Sequence, residues 1–85
     1  MLRAVEILPS ARSELKSLPS RLLTEAIAAI EALADDPFPP DAVKLRGHND
    51  YYRLRLAFHR IVYRVRPRRI LITRVASRAN VYRGL

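Results

Sequence analysis

Apolar side chains and arginines alternate along the segment from Tyr52 to Arg66, and this pattern limits the fold more than any other feature of the sequence. Successive side chains of a strand point to opposite faces, so the pattern predicts two strands with one apolar face and one arginine face. Neighbouring arginines repel one another, so the arginine face is either a solvated surface or a surface that meets a polyanion. The apolar face would hold Tyr52, Leu54, Leu56, Ile61, Tyr63 and Val65, and the arginine face Arg53, Arg55, Arg60, Arg64 and Arg66.

The formal net charge is +8, and the basic residues are concentrated in the second half of the chain. Residues 1–41 carry four basic and seven acidic side chains, whereas residues 42–85 carry twelve basic side chains and one acidic side chain, Asp50. Eleven of those twelve basic residues are arginine, whose planar, permanently charged group suits phosphate and stacks on bases. Nucleic acid is therefore a better candidate partner than a membrane, which would require a basic amphipathic helix.

Length and composition predict one cytoplasmic domain over residues 1–85. The absence of cysteine excludes disulfides and thiolate metal ligands, and it fits a cytoplasmic protein. No apolar run approaches the roughly 20 residues that span a bilayer. The N-terminal segment lacks the layout of a signal peptide, because Glu6 interrupts an apolar run that is already short.

The order of periodic segments predicts an α+β fold, β-α-α-β-β-β, with a two-helix hairpin packed on one face of a mainly antiparallel four-stranded sheet. The second helix, Ser20–Ala34, has an apolar stripe that includes Ile27 and Ile30. We expect residues 43–50 to form an irregular loop with Gly47 as its turn residue. The segment 70–76 is the most apolar strand, so we expect it to lie centrally, buried on both faces. That segment belongs to a predicted strand at 69–76. The remaining predicted elements are a strand at 2–8, a helix at 10–17, and strands at 51–57 and 60–66.

Motifs that bind nucleotides or catalytic metals are absent from the sequence, which has no P-loop, dinucleotide fingerprint or His-Glu-x-x-His. The two histidines, His48 and His59, fall in predicted loops without carboxylate or cysteine partners at ligand spacing. We therefore expect two solvent-exposed loop histidines, no metal site and no cofactor.

Arginine and tyrosine remain as groups that could perform chemistry, and RNA is a substrate that suits them. RNA carries its own nucleophile, the 2′-hydroxyl, so a protein can cleave it by orienting the strand and neutralising charge on the phosphate. An aromatic side chain can stack on a base or move a proton. The residues concerned are Arg53, Arg55, Arg60, Arg78 and Tyr82, with Lys44 and Arg46 at the loop edge.

Short motifs spread over nearly the whole chain resemble the RelE/ParE superfamily of toxins from bacterial toxin–antitoxin systems. Individually they are weak, but their order and spacing match the superfamily. They are Pro9–Ala11 after the first strand, Leu18–Pro19, Asp36–Pro37, Lys44–Gly47, Tyr52–Leu56, His59–Tyr63 and Arg78–Arg83.

The resemblance implies a RelE-like fold and a cognate antitoxin that neutralises the toxin through an acidic segment, in a hetero-oligomer. RelE-type members cleave mRNA on the ribosome, which would make this chain a metal-independent endoribonuclease that arrests translation. By motif position, Arg53 and Arg55 match catalytic or substrate-contacting lysines, Arg60 and Arg78 match arginines that contact the scissile phosphate, and Tyr82 matches the catalytic tyrosine. Lys44 and Arg46 match positions that bind RNA.

Arginine at positions 53 and 55 departs from the lysines of the best-known RelE-type toxins. A guanidinium group keeps its proton, so the sequence favours electrostatic and positioning roles for the arginines and a proton-handling or stacking role for Tyr82. The structural alternatives are that Tyr82 closes the sheet and that Arg53 or Arg55 faces an antitoxin carboxylate. The alternative functions are a ParE-like inhibitor of DNA gyrase without nuclease activity and a non-catalytic basic module that only binds nucleic acid.

Overall fold

The computed structural model describes residues 2–83, and within this range the chain forms two helices and five strands. The predicted α+β class and the order of the predicted elements are confirmed, and element ends differ from the predicted ones by one or two residues. Neither helix in the described range is long and apolar enough to cross a membrane. The elements are β1 (Ala4–Ile7), α1 (Pro9–Lys16), α2 (Ser20–Leu33), β2 (Val43–Lys44), β3 (Tyr51–Leu56), β4 (His59–Val65) and β5 (Arg69–Ser77).

The five strands form one sheet in the order β1-β5-β4-β3-β2, in which β1 is parallel to β5 and all other pairs are antiparallel. The predicted number of four strands is too low, because Val43 and Lys44 pair with Arg53 and Tyr52 and so add a short edge strand. This two-residue strand lies in the segment predicted to be a loop. Two residues are too few to show a period of two, so the pattern analysis could not detect it.

The most apolar strand, β5, lies inside the sheet as expected, but the central strand is β4. On β5, Ile70, Ile72 and Val75 are buried in the core, whereas Leu71 and Thr73 are only half-buried. Burial of β5 on both faces is therefore wrong. Hydrophobicity identified an interior strand, but which strand is central depends on the two edges of the sheet, where β1 pairs with β5 and β2 pairs with β3.

The core lies between the two helices and one face of the sheet. From α2, Ala26, Ile30 and Leu33 are buried against the sheet, whereas Ile27, predicted to belong to the apolar stripe, is 45% exposed. On the sheet, the fully buried Tyr63 donates its hydroxyl hydrogen to the carbonyl oxygen of Pro37 at 2.9 Å. This bond ties the segment that follows α2 to the central strand.

Candidate nucleic-acid interface

The face of the sheet opposite the helices, which we call the open face, carries arginines on β3 and β4. Leu54 and Leu56 of β3 belong to the helix-covered core, so Arg53 and Arg55, which alternate with them, point to the open face. Residues directly opposite one another in a ladder share a face. Because Arg55 pairs with Arg60, the guanidinium groups of these two residues come from adjacent strands onto the same surface.

Arg60 is the most enclosed member of this set, with only 7% of its surface exposed. Its Nη1 donates hydrogen bonds to the carbonyl oxygens of Ala57 (3.1 Å) and His59 (2.8 Å) at the β3–β4 turn. Desolvation lowers the pKa of Arg60, and the positive charges of Arg55 and Arg53 lower it further. The guanidinium group is nonetheless charged at neutral pH, because arginine holds its proton far above that range.

Two further predicted residues lie close enough to Arg60 to influence its pKa. The positive charge of Arg78 lowers the pKa of Arg60, and the negative charge of an ionised Tyr82 raises it. The structure thus brings together all five residues for which the sequence predicts catalytic roles. We call them the arginine–phenol cluster: Arg53, Arg55, Arg60, Arg78 and Tyr82.

The C-terminal turn, residues 78–83, brings Arg78 and Tyr82 to the open face. Val62 pairs with Arg53 and so lies on that face, yet it is fully buried, as is Val81 in the turn. Arg74, the β5 partner of Val62, donates from Nη1 to the carbonyl oxygen of Arg83 at 3.1 Å. These contacts show that the turn folds back over the sheet, which leaves Tyr82 39% exposed beside the arginines.

Glu14 of α1 holds Arg74 in this position. Its carboxylate accepts from Nε of Arg74 at 3.1 and 3.3 Å and from Nη2 at 3.0 Å, and it also accepts from the backbone N–H of Val75 at 2.8 Å. Both charged side chains are about three-quarters buried. A helix, a strand and the C-terminal turn are therefore connected through one ion pair.

The arginine–phenol cluster has no carboxylate partner within residues 2–83. Every ion pair in that range involves an arginine outside the cluster. The exposed Asp41 lines a cavity with Arg53 and Arg55 but forms no ion pair with them. Neighbouring cations repel one another, and partial burial strengthens the repulsion because water screens it less. A phosphate group placed here would remove this repulsion and gain charge-assisted hydrogen bonds.

The two positions expected to bind RNA lie in different places. Lys44 pairs with Tyr52, whose ring stacks on Tyr63 in the core, so Lys44 stands on the helix side of the sheet edge and away from the cluster. Arg46 lies in the β2–β3 loop and lines a cavity of about 240 Å³ together with Tyr82. The structure therefore places Arg46 beside Tyr82 of the cluster and Lys44 on the other face of the sheet.

The β2–β3 loop also brings His48 to the site, which the sequence analysis did not predict. His48 is half-buried and lines the same cavity as Tyr82, whereas the sequence favoured a solvent-exposed histidine. The loop is anchored through Asp50, whose carboxylate contacts Arg64 at 3.3 Å and Arg66 at 3.7 Å. No pattern in the local sequence predicts that His48 lies at the site, because its placement depends on how the C-terminal turn packs.

Phe58 is a second residue that the sequence analysis passed over. It lies in the two-residue turn between β3 and β4 and is 86% exposed. Its carbonyl oxygen accepts a hydrogen bond from the backbone N–H of Arg78 at 3.0 Å, which ties this turn to the C-terminal turn. The exposed ring therefore stands at the rim of the cluster, where a base could stack on it.

The side chain of the other histidine, His59, lies on the helix-covered face of the sheet, because His59 pairs with Leu56 of the core. His59 is half-buried, lines a cavity with Glu14 and Ser77, and has a buried Nδ1 without a hydrogen-bond partner among the described residues. Within residues 2–83, no group of three histidine or carboxylate side chains is arranged to hold a metal ion.

Comparison with known proteins identifies the family and the fold. Residues 5–82 match the family model described as ParE toxin of type II toxin-antitoxin system, parDE. No match was found among curated proteins. Among solved structures, a chain of the archaeal RelE–RelB complex from Pyrococcus horikoshii OT3 is 28% identical, with a TM-score of 0.82 over 95% of this chain and 100% of that chain.

More distant structures share the fold. A chain of the RelBE2 toxin–antitoxin complex of Mycobacterium tuberculosis is 24% identical, with a TM-score of 0.77 over 92% of this chain and 100% of that chain. A mutant of the E. coli toxin RelE in the free state is 22% identical, with a TM-score of 0.80 over 94% of this chain and 88% of that chain.

Proposed function

The chain belongs to the ParE toxin family of type II toxin–antitoxin systems, and we propose that it is a ribosome-dependent, metal-independent endoribonuclease that cleaves mRNA and arrests translation. The observation that supports this proposal is the arginine–phenol cluster, in which Arg53, Arg55, Arg78 and Tyr82 lie near Arg60 and no member forms an ion pair with a carboxylate of the described part of the chain. By the resemblance, ParE-type gyrase inhibitors lack these basic residues.

In this proposal each member of the cluster has a defined task. Arg60 and Arg78 contact the scissile phosphate and stabilise the charge that develops on it during attack by the 2′-hydroxyl. Arg53 and Arg55 hold the flanking phosphates and keep the strand in line. Tyr82, the exposed phenol beside them, donates a proton to the leaving 5′ oxygen.

A cognate antitoxin is the second partner that we propose. Solved relatives include complexes of RelE with RelB, in which toxin and antitoxin are bound together. An acidic antitoxin segment would supply the carboxylates that the cluster lacks within residues 2–83, and it would compete with RNA for the same guanidinium groups. The expected state in the cytoplasm is a hetero-oligomer of toxin and antitoxin.

Cleavage can be measured by primer extension across a reporter mRNA in a cell-free translation system. We expect defined cleavage sites with the wild-type chain, and a decrease in cleavage rate of about 10²–10³-fold for Arg78→Ala, because a charge-stabilising donor is lost. Tyr82→Phe should reduce the rate by about 10²-fold or more through loss of the proton donor.

A matched control is Arg12→Ala, which removes an exposed arginine from α1 on the far side of the sheet. It lowers the net charge by the same amount and should leave cleavage unchanged. Full cleavage by the Arg78→Ala, Tyr82→Phe double variant, with folding verified by circular dichroism, would refute the assignment of the site.

Inhibition of DNA gyrase is the second candidate function, and the name of the matching family model favours it. It predicts intact mRNA in the primer-extension assay and loss of gyrase supercoiling at toxin concentrations near that of the enzyme. The two functions are separated by running both assays on the same preparation.

A further inference from the structure

The arginine–phenol cluster is rich in hydrogen-bond donors but has no free group that readily accepts a proton. Guanidinium groups are permanent donors and stay charged. Of the carboxylates in this region, Asp50 is held by Arg64 and Arg66, and Asp41 lines a cavity with Arg53 and Arg55 that Tyr82 does not line. Cleavage of RNA, however, requires that the 2′-hydroxyl lose its proton as its oxygen attacks phosphorus.

His48 is positioned to supply the missing acceptor. Its side chain lines the cavity of about 240 Å³ whose other walls are Leu45, Arg46 and Tyr82. The cavity therefore joins the imidazole to the phenol that completes the cluster. Histidine is the side chain that ordinarily exchanges a proton between pH 5 and 8, and its neutral form accepts one.

The loop that carries His48 is held in a defined conformation. Leu45 N–H donates to the carbonyl oxygen of Tyr51 at 3.0 Å, and the N–H groups of His48 and Tyr51 donate within the loop at 3.3 Å. Gly47 adopts a φ of 78°, which glycine permits without strain. The imidazole ring also meets the Tyr51 ring edge-on, with 6.0 Å between centroids. These contacts fix where the imidazole lies relative to β3.

We propose that His48 is a catalytic residue that accepts the proton of the 2′-hydroxyl, an inference that rests on the proposed nuclease function. In this step the O2′–H bond breaks and its proton moves to the neutral imidazole, while the 2′ oxygen forms a bond to phosphorus. The bond between phosphorus and the 5′ oxygen breaks, and the 5′ oxygen takes the phenolic proton of Tyr82. The products are a 2′,3′-cyclic phosphate and a 5′-hydroxyl; the imidazolium then gives its proton to solvent, and the Tyr82 phenolate takes one from solvent.

A simpler role for His48 is to stack on a base without moving a proton, and matched variants distinguish the two roles. His48→Phe keeps a flat ring but cannot accept a proton, whereas His48→Gln keeps a polar side chain without a basic nitrogen. Single-turnover cleavage of ribosome-bound mRNA should decrease by about 10²–10⁴-fold in both variants. The exposed neighbour provides the control, since Asn49→Ala should cleave at the wild-type rate. Wild-type cleavage by His48→Phe would overturn the proposal.

The pH dependence gives a readout that stacking would not change. The charged and titratable groups that face His48 are Arg46 of its own loop, Tyr51 of β3 and Tyr82 of the C-terminal turn, and residues of these types do not ordinarily titrate between pH 5 and 8. If a neutral imidazole accepts the proton, the wild-type rate should rise with pH by up to about tenfold per unit and then level off. For His48→Gln the same range should be flat, and an unchanged profile in this variant would overturn the proposal.

A modified substrate separates the acceptor from the donor. When sulfur replaces the leaving 5′ oxygen, the leaving group no longer needs a proton, so Tyr82→Phe should recover most of the lost rate. His48→Gln should stay slow, because attack by the 2′-hydroxyl is still hindered. Recovery by His48→Gln would overturn the acceptor role. Failure of the wild-type chain to cleave any mRNA would refute the nuclease function itself, whereas equal rates for wild type and His48→Gln would refute this inference alone.

Discussion

The contact between Glu14 and the end of β5 should contribute a large share of the stability of this small domain, and replacing Glu14 with Ala tests it. The substitution leaves the backbone N–H of Val75, which donates to Glu14 at 2.8 Å, without this acceptor in a partly buried place. A lost acceptor of this kind costs about 1–3 kcal/mol. The ion pair with Arg74 adds about 1 kcal/mol, a value reduced because both side chains are about a quarter exposed.

The free energy of unfolding of Glu14→Ala should therefore be lower by about 2–4 kcal/mol. For a domain of this size about 1 kcal/mol shifts Tm by about 4–8 °C, so the loss is easily measured. Urea denaturation followed by far-ultraviolet circular dichroism is the assay. In Glu14→Gln the side-chain carbonyl can still accept from Val75, but the amide faces the donors of Arg74, so we expect a smaller loss of about 1–2 kcal/mol.

The control is Glu25→Ala, which removes an ion pair of a different kind. Glu25 is half exposed and contacts Arg21 at 3.9 Å one helical turn away, and such surface pairs contribute about 0.5 kcal/mol or less. The reasoning is refuted if Glu14→Ala and Glu25→Ala have the same effect, or if Glu14→Gln destabilises the domain as much as Glu14→Ala.

Two other positions give further predictions for stability. Tyr63→Phe removes the buried hydrogen bond to Pro37 and should lower the free energy of unfolding by about 1–2 kcal/mol, measured by urea denaturation. Burial, with smaller contributions from Tyr52 and Asp36, raises the pKa of Tyr63. The folded protein therefore keeps a proton that an unfolded tyrosine loses near pH 10, so stability should fall above about pH 10, and less steeply in Tyr63→Phe. Ala57→Gly should stabilise the domain by about 0.5–1 kcal/mol, seen as a higher Tm, because Ala57 adopts a φ of 53° that suits glycine.

Periodic segments of the sequence were sufficient to predict most of the fold. The alternation over Tyr52–Arg66 predicted β3 and β4 and assigned Leu54 and Arg53 to opposite faces, because a strand has a fixed period of two. The apolar stripe likewise predicted α2 to within one residue at its end. These elements could be predicted because their burial pattern repeats along the chain.

Features that depend on contacts between distant segments could not be predicted in this way. The edge strand at Val43–Lys44 exists only through its pairing with β3. Ile27 is exposed because of how α2 is rotated about its axis against the sheet. A stripe of apolar residues defines that rotation only to within about one residue position. The central place of β4 follows from β1 and β2 forming the two edges of the sheet, which hydrophobicity does not encode.

The candidate site was likewise predicted from the sequence only in part. Arg53, Arg55 and Arg60 could be placed on one surface from alternation, whereas Arg78 and Tyr82 were named for their chemistry and given roles through the family resemblance. The structure brings the five together through the fold of the C-terminal turn over Val62. Their roles in catalysis stay predictions, as do those of Lys44 and Arg46. His48 and Phe58 were overlooked because single residues in short loops carry no periodic signal.

Arginine in place of lysine at positions 53 and 55 fixes the charge of the site around the enclosed Arg60. A lysine beside the enclosed Arg60 could relieve repulsion by releasing its proton, whereas arginine cannot, so the site stays fully charged over the physiological pH range. Permanent charge favours phosphate binding, but it excludes these two residues from proton transfer. In the proposed nuclease reaction, the proton must then be moved by other side chains at the rim of the cluster. Tyr82 and His48 meet that requirement, since both line one cavity beside the guanidinium groups.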